Sequence, residues 1–242
     1  MLKDLGINLL AALIGYAVAR LYSYLRQVFS KKAAKWIWVP VAAEKVTLYY
    51  GGWKDVLSDV GELETVVNVY DAITLGELKS FLKSYYSEIL ITSDRNAIDW
   101  QYPVVSIGGP IPNQLAKGIG DKGLLPLWFL DMPYDRESTR VIGSAGRAEM
   151  FTSEFDQSGR LTTDVSTVAR LRSPENKSQF LFIIAGNYGL GTLGAVRFLS
   201  SEKGLAKLRK LAEGQCFQAI VRCYVSNERV TDTRLVHCTE LK

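Results

Sequence analysis

From Lys45 onward the chain alternates between short apolar runs and stretches of helical spacing. KVTLYY (45–50), closed by Gly51-Gly52, and TVVNVY (65–70) are rich in β-branched and aromatic residues and read as strands. Ile73, Leu75, Leu78, Phe81, Leu82 and Tyr85 then recur at helical intervals through residues 71–86. EILITS (88–93), VVSIGG (104–109) and PLWFL (126–130) read as strands, with a short helix over NQLAKGIG (113–120). Residues 131–172 are polar and irregular, and pieces such as TRVIGS and RLTTDVSTVARL suggest hairpins or an excursion over one face. FLFIIAG (180–186) is a continuous apolar strand. Residues 190–214 form one or two helices broken near Lys203-Gly204, and two strands (216–226, 233–241) flank the turn Asn227-Glu228-Arg229. Apolar strands alternating with helices predict an α/β domain over 44–242: a mainly parallel sheet with helices on both faces and a C-terminal antiparallel edge hairpin.

The first 43 residues follow a different pattern. Leu5–Leu25 (LGINLLAALIGYAVARLYSYL) is apolar nearly all round, and as a helix its 21 residues would span about 31 Å, enough for a bilayer core. Arg20 would cost about 2.5–3.5 kcal/mol at the bilayer centre, but it lies near the C-terminal end, where it can snorkel to the headgroups. The expectation is a transmembrane anchor over 1–27, a basic juxtamembrane linker over 28–43, and the α/β domain beyond. Trp36 and Trp38 would then sit at the membrane interface. A signal peptide cleaved after Ala17-Val18-Ala19 and a helix lying on the protein or membrane surface are the competing readings.

Charge supports the anchor. Residues 1–35 carry six Lys and Arg against Asp4 alone, so of the chain's net +4, +5 belongs to this segment and −1 to the rest. The basic flank after the apolar run places the domain on the cytoplasmic side of the cell membrane. A folded domain without excess positive charge does not suit nucleic acid as a partner; the partners expected are membrane lipid and a small molecule, and a pore would need several copies of the chain. Cys216, Cys223 and Cys238 form no CxxC pair, and with His237 as the single histidine no metal site and no cofactor is expected.

Candidate chemistry lies at three places where a strand gives way to a helix, since open parallel sheets bind ligands at the carboxyl ends of their strands. Gly108 and Gly109 end one strand, and Asn113 is either the cap of the next helix or a ligand contact. Asn187, Tyr188, Gly189, Gly191 and Thr192 open a helix after FLFIIAG, where backbone N–H groups favour an anion such as phosphate. The string Gly189-x-Gly191-x-x-Gly194 matches a dinucleotide fingerprint, but comes late in the chain and lacks the acidic residue at the next strand end. Asp71 is either a helix cap or an acceptor for a ribose hydroxyl. No nucleophile elbow, HExxH or paired carboxylates appear, so a reaction is not indicated; an enzyme would need Asp71, Asp94, Asp99 or Glu149 in the same cleft.

IGGPIPN and AGNYGLGTLGA together resemble a loosely defined group of prokaryotic Rossmann-like sensor domains with a GGPxxN turn and a later AGxxxxGTxxA step. Here the matching positions are Gly108, Gly109, Pro110 and Asn113, then Gly186, Gly191, Thr192 and Ala195, within residues 44–200. The architecture is also similar to that of membrane-anchored effectors of bacterial antiviral defence. The resemblance implies a Rossmann-like domain binding a phosphate-bearing ligand, a nucleotide signal above all, with a membrane-bound nucleotide-processing enzyme or a non-catalytic membrane scaffold as the alternatives.

Overall fold

The computed structural model describes residues 18, 20–21, 31–39, 43–57, 63–66, 68–130, 140–146, 148–212 and 215–241. In chain order the first elements are helix α1 (31–38), β1 (Lys45–Tyr50), β2 (Trp53–Leu57), β3 (Leu63–Val66), α2 (Val69–Leu82), β4 (Glu88–Thr92), β5 (Val104–Ile107), α3 (Gln114–Asp121) and β6 (Trp128–Leu130). They are followed by β7 (Val141–Gly143), β8 (Met150–Thr152), β9 (Glu154–Phe155), β10 (Leu161–Arg172), β11 (Phe180–Gly186), α4 (Gly189–Ser200), α5 (Glu202–Leu211), β12 (Phe217–Ser226) and β13 (Arg229–Glu240).

The main sheet has the order β13-β12-β10-β11-β5-β1-β4, with β9 added on β10. Strands β4, β1, β5 and β11 are parallel neighbours. Strands β10, β12 and β13 continue the sheet antiparallel from β11. The expected mainly parallel sheet is therefore mixed: parallel in one half, antiparallel in the other. The difference comes from β10, a strand-like run expected to belong to a hairpin or an excursion over one face, which instead lies inside the main sheet. Its Ser166 and Thr167 are fully buried and hydrogen-bonded, Ser166 to the Val221 carbonyl and Thr167 to the Gln218 side chain, so they tolerate a central strand. The C-terminal hairpin lies at the sheet edge as expected, and its turn residues Asn227 and Glu228 both take positive φ (49° and 58°), the geometry of a two-residue hairpin turn.

Side chains of β11 alternate between two cores. Phe180, Phe182 and Ile184 face a layer of α1, α2, α4 and α5, whereas Leu181, Ile183 and Ala185 face α3 and the small antiparallel sheet β6-β7-β8. Each of these Phe, Leu and Ile side chains contributes about 1.5–3 kcal/mol on full burial. Helices thus cover one face, and the other is shared between one helix and a second sheet. The predicted helical stretch 190–214 is two helices, parted at Ser201 rather than at Lys203-Gly204; the Ser201 hydroxyl accepts from the Gly204 N–H and caps α5.

Residues 31–38 belong to this core. Ala33, Ala34, Ile37 and Trp38 are buried, with Trp38 stacked on Phe182 at 5.3 Å and its indole N–H donating to the Leu199 carbonyl at 3.2 Å. Trp36 stacks on Phe217. Both tryptophans therefore serve the domain instead of a membrane interface. Fully buried Arg170 fixes the C-terminal end of α1, donating to the carbonyls of Trp36 (2.5 Å) and Ile37 (2.9 Å), where the helix dipole favours a cation. Burial lowers its pKa to about 10, so it stays charged at neutral pH. Among the described residues no helix is long and apolar enough to cross a membrane; the apolar run 5–25 falls almost wholly outside them.

Because Trp38 is packed against β11 and α4, Trp38→Ala is expected to destabilise the full chain by about 3–5 kcal/mol in urea unfolding. An exposed linker position would change stability by less than about 0.5 kcal/mol.

Candidate ligand-binding site

Strands β5 and β11 pair in parallel with Ile107 opposite Ile184. The two glycine-rich turns that follow them therefore leave the sheet side by side, tied by a hydrogen bond from the Gly108 N–H to the Ile184 carbonyl at 2.9 Å. Gly108 has φ +100°, a conformation that L side chains rarely adopt, and it turns the chain beside the Asp71 carboxylate. Between these turns and the start of α2 lies a cleft enclosing about 120 Å³. Of the nine expected site residues, Asp71, Gly109, Asn187, Tyr188, Gly189 and Thr192 border it.

The remaining three are structural. Asn113 is fully buried and caps α3: its Oδ1 accepts from the Ala116 N–H, and its amide donates to the Ile107 carbonyl and the Ser106 hydroxyl. Nothing of it is left for a ligand. Gly108 shapes its turn. Gly191 is occupied by the protein's own carboxyl group, described next.

Helix α4 has no side-chain cap of its own. Its N-terminal N–H groups are met from another strand by Asp164 of β10, whose Oδ2 accepts from the Gly191 N–H at 2.5 Å. Oδ1 accepts from the Val165 N–H and the Ser153 hydroxyl, both at 2.8 Å. A Cβ at Gly191 would stand 2.8 Å from Oδ2, so glycine here admits a carboxylate, and the expected external phosphate finds its place taken. Complete burial pushes the Asp164 carboxyl up to about 7, against hydrogen bonds from Ser153, Val165, Gly191 and Tyr188 that pull it down.

The Asp164 network also orients Asn187. Ser153 donates to Asp164 and accepts from Asn187 Nδ2 at 3.2 Å; that same Nδ2 donates to the Arg140 carbonyl at 2.8 Å. With its donors committed, Asn187 is left with Oδ1, a buried acceptor without a partner among the described residues. Arg140 lies alongside, donating to the Asn187 carbonyl at 2.6 Å with its guanidinium 4.8 Å from the Tyr188 ring centre.

Asp71 is not the helix cap. Helix α2 starts at Val69, inside the stretch 65–70 expected to be strand, and Asn68 caps it by accepting from the Tyr70 N–H at 2.9 Å. Asp71 falls in the first turn with 7% exposure. Burial pushes its carboxyl up to about 6, so it is largely ionised at neutral pH. A bidentate ion pair of Arg197 on α4 with Glu77 on α2 (2.6 Å at its shortest) holds together the two helices whose N-termini frame the cleft.

Other titratable candidates lie elsewhere. Asp94 caps a 3-10 turn, Asp99 accepts from the Gln101 N–H, and Glu149 lies 3.8 Å from His237. Among the described residues no group of three His, Cys, Asp or Glu could hold a metal ion. Sequence reasoning missed Asn68, Arg140, Ser153 and Asp164. Two left a signal: the Asn68-x-x-Asp71 spacing of a cap with an acid in the first turn, and a lone acid inside an otherwise strand-like run at Asp164. Arg140 and Ser153 left none.

No protein-family model matches the chain, and no curated protein matches it in sequence. Fold and site together define a mixed α/β domain with a small cleft of mixed lining at the carboxyl ends of two adjacent parallel strands.

Two stability measurements separate the two carboxylates. Asp164→Ala strips buried N–H groups of their acceptor and is expected to cost about 2–4 kcal/mol. Asp71 has the raised-acid sign: its folded pKa of about 6 exceeds the unfolded value, so its ionisation opposes folding above pH 6. Asp71→Asn should therefore be more stable than wild type at pH 8, by about 1–3 kcal/mol, with the difference fading as pH falls from 6 to 4.

Proposed function

We propose that the chain is a membrane-anchored sensor or effector whose α/β domain binds a phosphate-bearing small molecule, a nucleotide signal, in the cleft bounded by Asp71, Arg140 and Asn187. The observation that carries this reading is that Asn187, which lines the cleft, keeps a buried Oδ1 without a partner among the described residues, an acceptor that a ligand hydroxyl or N–H would satisfy on reaching it. Ionised Asp71 supplies a second acceptor, suited to a sugar hydroxyl. Arg140 supplies the cation for phosphate, in place of the helix N-terminus that Asp164 already fills. A volume of about 120 Å³ holds roughly four waters, so the enclosed part of the cleft takes a phosphate-sized group and the rest of the ligand lies outside it. The apolar segment 5–25 holds the domain at the cytoplasmic face of the membrane, and bacterial antiviral defence is the setting that the resemblance suggests.

A nucleotide-processing enzyme is the second reading. Only the raised pKa of Asp71 favours it, because among the described residues no second carboxylate borders the cleft. Product analysis after incubating the full chain with nucleotides separates the two: turnover that Asp71→Asn abolishes would establish the enzyme.

Calorimetric titration of the full chain with ribose 5-phosphate tests binding. Arg140→Gln is expected to weaken it roughly ten- to a hundredfold, the loss of a charge-assisted contact. Wild-type affinity should fall more steeply below pH 6 than that of Asp71→Asn, whose remaining pH dependence is the phosphate's own second ionisation near pH 6. Binding indifferent to both substitutions would place the ligand elsewhere.

A further inference from the structure

The side of the sheet covered by α1, α2, α4 and α5 differs in charge from the rest of the domain. These four helices carry nine Lys and Arg against Asp71, Glu77 and Glu202, although the chain beyond residue 35 is close to neutral. Helix α5 holds the largest share. It buries Leu205 and Leu208 in the core beneath it and turns Lys203, Lys207, Arg209 and Lys210 to the exposed side. Leu211, 50% exposed, follows the last two. Helix α1 is divided in the same way: Ala33, Ala34 and Ile37 enter the same core, and Lys31, Lys32 and Lys35 are exposed. Chain length limits how far this side stands from the apolar run. Five residues separate Leu25 from Lys31, a span of at most roughly 20 Å even when fully extended.

We propose that the exposed faces of α5 and α1 form a docking surface for anionic lipid headgroups, so that the domain lies with this helical side against the membrane. The inference rests on the anchor reading of residues 5–25, which brings α1 to the headgroups by the length of the chain alone. Each Lys or Arg held near an anionic leaflet is attracted to it within about a Debye length, roughly 8 Å at physiological ionic strength. Exposed Leu211 adds an apolar contact at headgroup depth. Six of the seven exposed cations on the two helices are lysines, compact charges that suit diffuse headgroup charge. A nucleic-acid surface favours arginine, whose planar fork holds a phosphate bidentately.

The test labels the lysines of the full chain with N-hydroxysuccinimide acetate in lipid-bilayer discs. One set of discs is phosphatidylcholine alone; the other contains roughly 30% phosphatidylserine, as in an anionic leaflet. Mass spectrometry is expected to show Lys203 and Lys210 acetylated at least about fivefold more slowly in the anionic discs. The difference should vanish in about 1 M NaCl, where the Debye length falls to about 3 Å. Lys117 on α3, across the sheet, should react equally in both. Arg209→Gln combined with Lys210→Gln should at least halve the protection of Lys203; both positions are exposed, and urea unfolding verifies that the variant folds. Equal rates at Lys203 and Lys210 in the two sets of discs, with the chain incorporated, overturn the docking surface alone. Protection of these lysines by duplex RNA and not by anionic discs assigns the face to nucleic acid and overturns it too. A chain that does not enter the discs overturns the anchor reading and this inference with it.

Discussion

The Asp164 carboxyl group is the interaction around which the cleft end of the domain is organised. It is fully buried in β10, caps α4 from outside that helix, and fixes Ser153, which in turn fixes Asn187. A buried carboxylate is costly to desolvate unless each oxygen is hydrogen-bonded; here the Gly191 and Val165 N–H groups and the Ser153 hydroxyl meet that requirement. The glycine-rich start of α4 is thereby explained without a ligand. What the network leaves over is one acceptor atom on Asn187, and that remainder directs attention from the helix N-terminus to the cleft beside it.

Much of the strand–helix alternation was legible from periodicity, because the parallel half of the sheet is built from apolar runs whose two faces are both covered. The glycine turns at 108–109 and 186–191 were recognisable, and their adjacency is a consequence of the β5–β11 pairing, which no local pattern encodes. The start of α2 was misplaced because β-branched and aromatic residues at 65–70 favour strand locally, whereas the Asn68 cap decides the boundary. β10 was legible as a strand-like run, but not its place inside the main sheet, because its polar side chains are satisfied in the interior by partners distant in sequence, such as Gln218 and Val221. Arg140 reaches the cleft only through tertiary packing.

The same helix that opens the cleft ends against the N-terminal part of the chain. Gly189 and Thr192 border the cleft at one end of α4, and at the other the Leu199 carbonyl receives the Trp38 indole N–H. Arg170 and Tyr86 hold the neighbouring carbonyls of Trp36, Ile37 and Trp38. Residues 31–38 are thus a built part of the domain.

A small phosphate ester is proposed to bind in the cleft. Hydrogen exchange read by mass spectrometry, on the full chain with and without saturating ribose 5-phosphate, addresses that directly. Slowed exchange is predicted in peptides covering residues 68–72, 109–112 and 187–192, and not in the β12–β13 hairpin. Unchanged exchange in all three segments, with protection arising elsewhere, would contradict it.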